Sequence, residues 1–126
     1  MAHRVLLVDD SPTMRSFVAA TLESDGYCEV TQATSGFQAL KILPSGQFDL
    51  VITDINMPDI NGLELIRFIR SNASYAKTPL VIISTEGRDR DRDRGLGLGA
   101  NAYLVKPFAP EALLDLIRRF LPQHGS

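Results

Sequence analysis

Short apolar runs of buried-strand length alternate along the chain with segments that repeat their apolar residues at helical spacing. Residues 4–8, 50–53, 80–83 and 102–105 form four such runs, and residues 29–33 form a shorter, more polar one suited to a place near a sheet edge. Strands joined through helices by short turns lie parallel, because only a crossover reaches a parallel neighbour, and crossovers share one hand. The expected fold is therefore α/β: a doubly wound sheet of five parallel strands covered on both faces by five helices.

The helical segments carry their own punctuation. Ser11 or Asp10 can cap the first, with Pro12 in its opening turn and Met14, Phe17, Val18 and Leu22 repeating to about Ser24, before Asp25-Gly26 ends it. Ser35 caps a second helix that carries Phe37, Leu40 and Leu43 on one face and closes at Pro44-Ser45-Gly46. Residues 62–71 form a third, with Leu65, Ile66 and Ile69 inward. The last begins at Ala109-Pro110-Glu111 and buries Leu113, Leu116, Ile117, Phe120 and Leu121, leaving residues 123–126 as a frayed polar tail.

Residues 88–99 are the exception. Arg and Asp alternate from Arg88 to Arg94, followed by Gly95-Leu96-Gly97-Leu98-Gly99. On a helix this places opposite charges at i, i+3 (Arg88 with Asp91, Asp89 with Arg92) but like charges at i, i+4 (Asp89 with Asp93, Arg90 with Arg94), so the support partly cancels. Gly99 suits a C-terminal cap, whereas Gly95 and Gly97 inside a helix each cost about 1 kcal/mol relative to alanine. The segment is expected to be a short, irregular or mobile fourth helix, the competing expectation being a solvated helix held by Leu96 and Leu98.

At 126 residues the chain fits one domain, 1–126, with its core between residues 4 and 121. With 13 basic and 15 acidic residues the net charge is -2, which argues against nucleic acid as a partner. Cys28 stands alone and reads as a small buried apolar residue, as suits a reducing cytosol. No apolar run approaches membrane-span length and residues 1–4 lead directly into a strand, so a cytoplasmic protein without membrane insertion is expected.

Where the strands end is the functional clue. Residues 50–53 stop on the carboxylate of Asp54, and Pro58, Asn61 and Gly62 then make a turn. The first strand runs into Asp9 and Asp10, the fourth into Ser84 and the fifth into Lys106. The carboxyl edge of a parallel sheet is where open α/β folds bind ligands. Carboxylates converging there would repel one another and raise their pKa values, a strain that a hard divalent cation such as Mg²⁺ relieves, with the Asn56 carbonyl as a further ligand. A lysine and a hydroxyl beside them suit the equatorial oxygens of a phosphoryl group. Singly, Asp9 and Asp10 read as helix caps, Lys106 as a solvated lysine, and Ser84 and Asp59 as turn residues; the joint position of Asp9, Asp10, Asp54, Ser84 and Lys106 at strand ends favours a Mg²⁺-dependent phosphoryl-acceptor site with Asp54 as nucleophile.

These residues, in this order and spacing, resemble a response-regulator receiver domain over residues 4–121. The motifs are Asp9-Asp10, Asp54 with Met57-Pro58 and Gly62, the Ser84 hydroxyl, and Lys106-Pro107-Phe108. The resemblance implies the strand order 2-1-3-4-5, phosphorylation of Asp54 by a histidine kinase, Mg²⁺ bound by Asp10 directly, by Asp9 largely through water, and by Asp54 and the Asn56 carbonyl, and a cis peptide between Lys106 and Pro107. It further implies that Lys106 and Ser84 meet phosphoryl oxygens while Tyr103 turns from exposed to buried. Asn56 and Glu86 would flank the attacking water and favour rapid loss of phosphate; together with Thr13-Met14-Arg15 they point to the single-domain chemotaxis members of the family.

The expected function is thus a two-component signalling switch, a monomer that is not an enzyme beyond assisting its own phosphorylation and dephosphorylation. With no output domain following, the signal would leave through the face of the fourth helix, fifth strand and fifth helix to a protein target. A phosphorelay shuttle or phosphate sink is the nearer alternative. An Asp-nucleophile phosphohydrolase would want a second acid where Asn56 stands and a substrate cap, and a phosphorylation-independent docking domain would not need the full acid set.

Overall fold

In the computed structural model, residues 2–24, 26–57, 59–85 and 89–121 are described. The expectations for Asp25, Pro58, Glu86, Arg88 and the polar tail fall outside them. Five strands, β1 (His3–Val8), β2 (Cys28–Ala33), β3 (Leu50–Asp54), β4 (Leu80–Thr85) and β5 (Ala102–Lys106), alternate with α1 (Pro12–Glu23), α2 (Gly36–Ile42), α3 (Gly62–Ser71), α4 (Asp89–Leu98) and α5 (Pro110–Phe120). The sheet is parallel throughout, in the order β2-β1-β3-β4-β5. As the sequence predicts, β2 lies at an edge, and every residue of β3 is buried.

Alternation along the strands divides the core in two. Val5, Leu7, Leu50, Ile52, Val81 and Ile83 meet Val18 and Leu22 of α1 and Leu113 and Ile117 of α5. Leu6, Val8, Val51, Leu80 and Ile82 face the other way, against Ala39 of α2 and Leu65, Ile66 and Ile69 of α3. Cys28 is buried in the α1/α5 layer.

Two helices depart from expectation. Phe37 is 58% exposed, whereas Leu43 is buried and Leu40 half-buried as expected, and Gly36 and Ala39 complete the buried face of α2. The reason is close approach: a Cβ on Gly36 would lie 2.7 Å from Ile60 Cβ, so only the smallest residue lets the loop after β3 rest on α2. The fourth helix is not irregular but runs continuously from Asp89 to Leu98. Gly95 packs it onto the sheet, since a Cβ there would stand 2.2 Å from Ile82 Cδ1, and Leu98 packs against the same core layer while Leu96 is largely exposed. Packing thus overrides weak helix propensity.

Arg92 reaches Asp89 at 3.7 Å, the i, i+3 pair expected from the alternation. Gly99, at φ +120°, ends the helix in a conformation that favours glycine. Its carbonyl accepts from Arg70 Nε and Nη2 at 3.0 and 2.8 Å, while Arg70 also donates to the carbonyls of Tyr75 and Ala76 and to Asn101 Oδ1. One α3 side chain therefore fixes the end of α4 and the turn before β4.

Candidate functional site

Four strand ends meet at the carboxyl edge. Asp9 follows β1, Asp54 ends β3, Ser84 is the penultimate residue of β4, paired with Val105, and Lys106 ends β5. Asp9, Asp54 and Ser84 are buried, whereas Asp10 is exposed beside them. One carboxylate oxygen from each of Asp9, Asp10 and Asp54 lies within 4.8 Å of the others. Lys106 Nζ bridges two of these groups, 3.0 Å from Asp9 Oδ2 and 3.2 Å from Asp54 Oδ2.

The supporting bonds are local consequences of the turns. Ser11 caps α1 by accepting from the Met14 N–H, and its own N–H donates to Asp9 Oδ1 at 2.9 Å. The Asn56 N–H donates to Asp54 Oδ1 at 3.3 Å. Gly62 permits the tight return after β3: its N–H donates to the Ile55 carbonyl at 2.8 Å, and a Cβ would stand 2.4 Å from the Asp54 carbonyl oxygen. The Lys106–Pro107 peptide is cis, as the resemblance implied.

Burial pushes the Asp54 carboxyl above its ordinary pKa. The Lys106 charge pulls it down, the Asp9 charge adds to the rise, and bonds from the Asn56 N–H and Lys106 oppose it. For Lys106, burial works against the ammonium, but the bond to Asp9 and the charges of Asp54 and Asp9 outweigh it and raise the pKa. One cation is shared by two carboxylates with a third nearby, so negative charge is left under-compensated. That donor set, all oxygen and mostly carboxylate, fits a hard divalent cation such as Mg²⁺. The Ser84 hydroxyl is fully buried and finds no hydrogen-bond partner among the described residues, although buried hydroxyls are ordinarily bonded.

The remaining predicted residues fall around this centre. Asn56 is exposed, Tyr103 is half-buried with the Arg92 guanidinium 5.9 Å from its ring centroid, and Glu86 lies outside the described residues. Two participants in the architecture escape a reading of the sequence. Asp59 is not only a turn residue: its carboxylate accepts from the Gly36 and Phe37 N–H groups at 3.2 and 2.9 Å, which holds its carboxyl below the ordinary pKa. Arg15 Nη1 donates to the Asp9 carbonyl at 2.7 Å. Its place four residues after the cap at Ser11 is the one signal that it could turn back towards the site.

A doubly wound sheet with acids at the carboxyl ends of β1 and β3 facing a lysine at the end of β5 is the framework of a receiver domain. The response regulator receiver domain family matches residues 5–118, and the chain belongs to that family. Within it, the chemotaxis proteins are close relatives. Chemotaxis protein CheY1 of Helicobacter pylori is 40% identical over 111 residues, covering 87% of this chain and 90% of that protein. The solved chemotaxis response regulator CheY4 of Vibrio cholerae is 39% identical, with a TM-score of 0.89 over 96% of this chain and 100% of its own. The receiver domain of a sensor histidine kinase from Pseudomonas aeruginosa PAO1, solved with a magnesium ion coordinated in its active-site cleft, is 28% identical, with a TM-score of 0.87 over 96% of this chain and 98% of its own.

Proposed function

We propose that Asp54 accepts a phosphoryl group from a phosphohistidine on a sensor kinase, and that the modified domain signals, in chemotaxis or motility, by changing its affinity for a protein target. The observation that carries this reading is the Ser84 hydroxyl, buried without a partner among the described residues, beside three clustered carboxylates and a shared lysine. Such an arrangement is costly as it stands and is relieved by an incoming phosphoryl group.

In the transfer, an Asp54 carboxylate oxygen bonds to phosphorus as the phosphorus–nitrogen bond to the imidazole breaks. Lys106 exchanges its Asp54 oxygen for a phosphoryl oxygen, and Ser84 donates to another. The Asn56 N–H keeps the carboxylate oriented by holding its other oxygen. Asp9, Asp10 and Asp54, together with the Asn56 carbonyl, would hold Mg²⁺, which when bound would neutralise charge on the transferring group. Asn56 and Glu86 flank the water that later removes the phosphate. Rearrangement at Ser84 and Tyr103 reaches the surface of α4, β5 and α5, where Arg92 already lies over the Tyr103 ring.

Amide spectra with Mg²⁺, recorded before and after beryllofluoride, test the reading. Wild type is expected to shift around Ser84, Tyr103 and Lys106, and Asp54→Asn to remain unchanged. Wild-type spectra insensitive to beryllofluoride would overturn it.

A further inference from the structure

We infer that Arg15 is a positioning residue for the metal site: its bond to the Asp9 carbonyl fixes the turn that aims Asp9 and Asp10 at the shared centre. This rests on the phosphoryl-acceptor reading above.

Asp9 lies at the point where β1 stops. Its N–H still donates to the Ala33 carbonyl at 3.2 Å, but beyond it the ladder to β2 ends. A buried carbonyl at such a point needs a donor from elsewhere. Arg15, half-buried on the first turns of α1, supplies it with a short charge-assisted bond at 2.7 Å. The backbone N–H of Arg15 meanwhile donates to the Ser11 carbonyl at 3.0 Å, so this residue is rigidly seated on α1. The turn of Asp9, Asp10 and Ser11 is thereby held from three sides: Lys106 and the Ser11 N–H on the Asp9 carboxylate, and Arg15 on its carbonyl. Asp10 has exposed surroundings, and its direction depends on the backbone that these bonds fix.

Electrostatics and positioning make opposite predictions for this residue. Arg15 is a cation near an acidic cluster, so removing its charge alone would strengthen the binding of a divalent cation. Loss of a group that orients metal ligands weakens binding, typically ten-fold or more. The sign of the change therefore separates the two roles.

The experiment follows the Asp10, Ser11 and Asn56 amides during Mg²⁺ titration of wild type, Arg15→Gln and Arg15→Lys, with thermal unfolding of each. Arg15→Gln is expected to bind Mg²⁺ about ten-fold more weakly. Its metal-free Asp10 and Ser11 amides should already be displaced, and Arg15→Lys, which keeps one donor, should recover part of the affinity. Unchanged or tighter binding by folded Arg15→Gln overturns the inference. Should that variant fail to fold, Arg15→Met, which keeps the aliphatic stem and no donor, decides it: wild-type affinity and wild-type Asp10 and Ser11 shifts there show that no bond from position 15 is needed. Failure of wild type to bind Mg²⁺ would instead remove the acceptor reading itself.

Discussion

Gly95 and Gly97 lie two residues apart in α4, and replacing each with alanine should have unequal effects: only the Gly97 substitution should stabilise the protein. Each substitution gains about 1 kcal/mol of helix propensity. At Gly97 nothing lies within 4 Å of the added methyl, so most of that gain should appear as stability. At Gly95 the methyl would stand 2.2 Å from Ile82 Cδ1 and 3.6 Å from Ile66 Cδ1. Normal carbon contacts are about 3.5–4.0 Å, so the Ile82 methyl must retreat by more than about 1 Å. Ile82 is completely buried, and overpacking of that kind costs about 1–3 kcal/mol. Gly95→Ala is therefore expected to be neutral to about 2 kcal/mol less stable, the difference between these two terms. Urea unfolding reads both: with a slope of about 2 kcal/mol per molar, Gly97→Ala should raise the midpoint by roughly 0.3–0.5 M without changing the slope. Equal stabilisation by both variants would refute the packing of α4 on β4, and no effect from either would refute the helix itself.

Three other perturbations test the surrounding structure. Because burial raises the Asp54 pKa in the folded state, that state holds the proton more tightly, and the carboxylate lowers stability as pH rises through and above the ordinary carboxylate range. Metal-free Asp54→Asn should accordingly be more stable than wild type at neutral pH by thermal unfolding, with the advantage fading below the ordinary carboxylate pKa; a constant advantage at all pH values would contradict this cause. Gly62→Ala forces a methyl against the Asp54 carbonyl oxygen and Ile55 Cα, both backbone, and should cost about 1–3 kcal/mol in urea unfolding and weaken Mg²⁺ binding; an unaffected variant would contradict the tight return after β3. Arg70→Ala removes the donors to Gly99, Tyr75, Ala76 and Asn101 and should cost roughly 2–4 kcal/mol, with amide exchange accelerated at the end of α4; a cost confined to a few tenths would show that the clamp is superficial.

The order of elements and the five residues of the carboxyl edge were legible because strand ends are marked in sequence by a change from apolar to charged. Leu65, Ile66 and Ile69 turn inward as their spacing predicts. Phe37 misleads because α2 has only seven residues and its inward face is built from Gly36 and Ala39, which carry little hydrophobic signal. In α4 the glycines read as helix breakers, yet Gly95 is the residue that lets the helix approach Ile82, information held by a partner in β4 rather than by the segment. Asp59 likewise bonds to Gly36 and Phe37, more than twenty residues away, and no local pattern encodes that tie.

The central claim is that Asp54 is the phosphoryl acceptor. Incubation with a phosphodonor and Mg²⁺, reduction of any acyl phosphate with borohydride and peptide mass analysis test it most directly. The account predicts conversion to homoserine at position 54 in wild type and none in Asp54→Asn. An unmodified position 54, or modification at another residue, would contradict it.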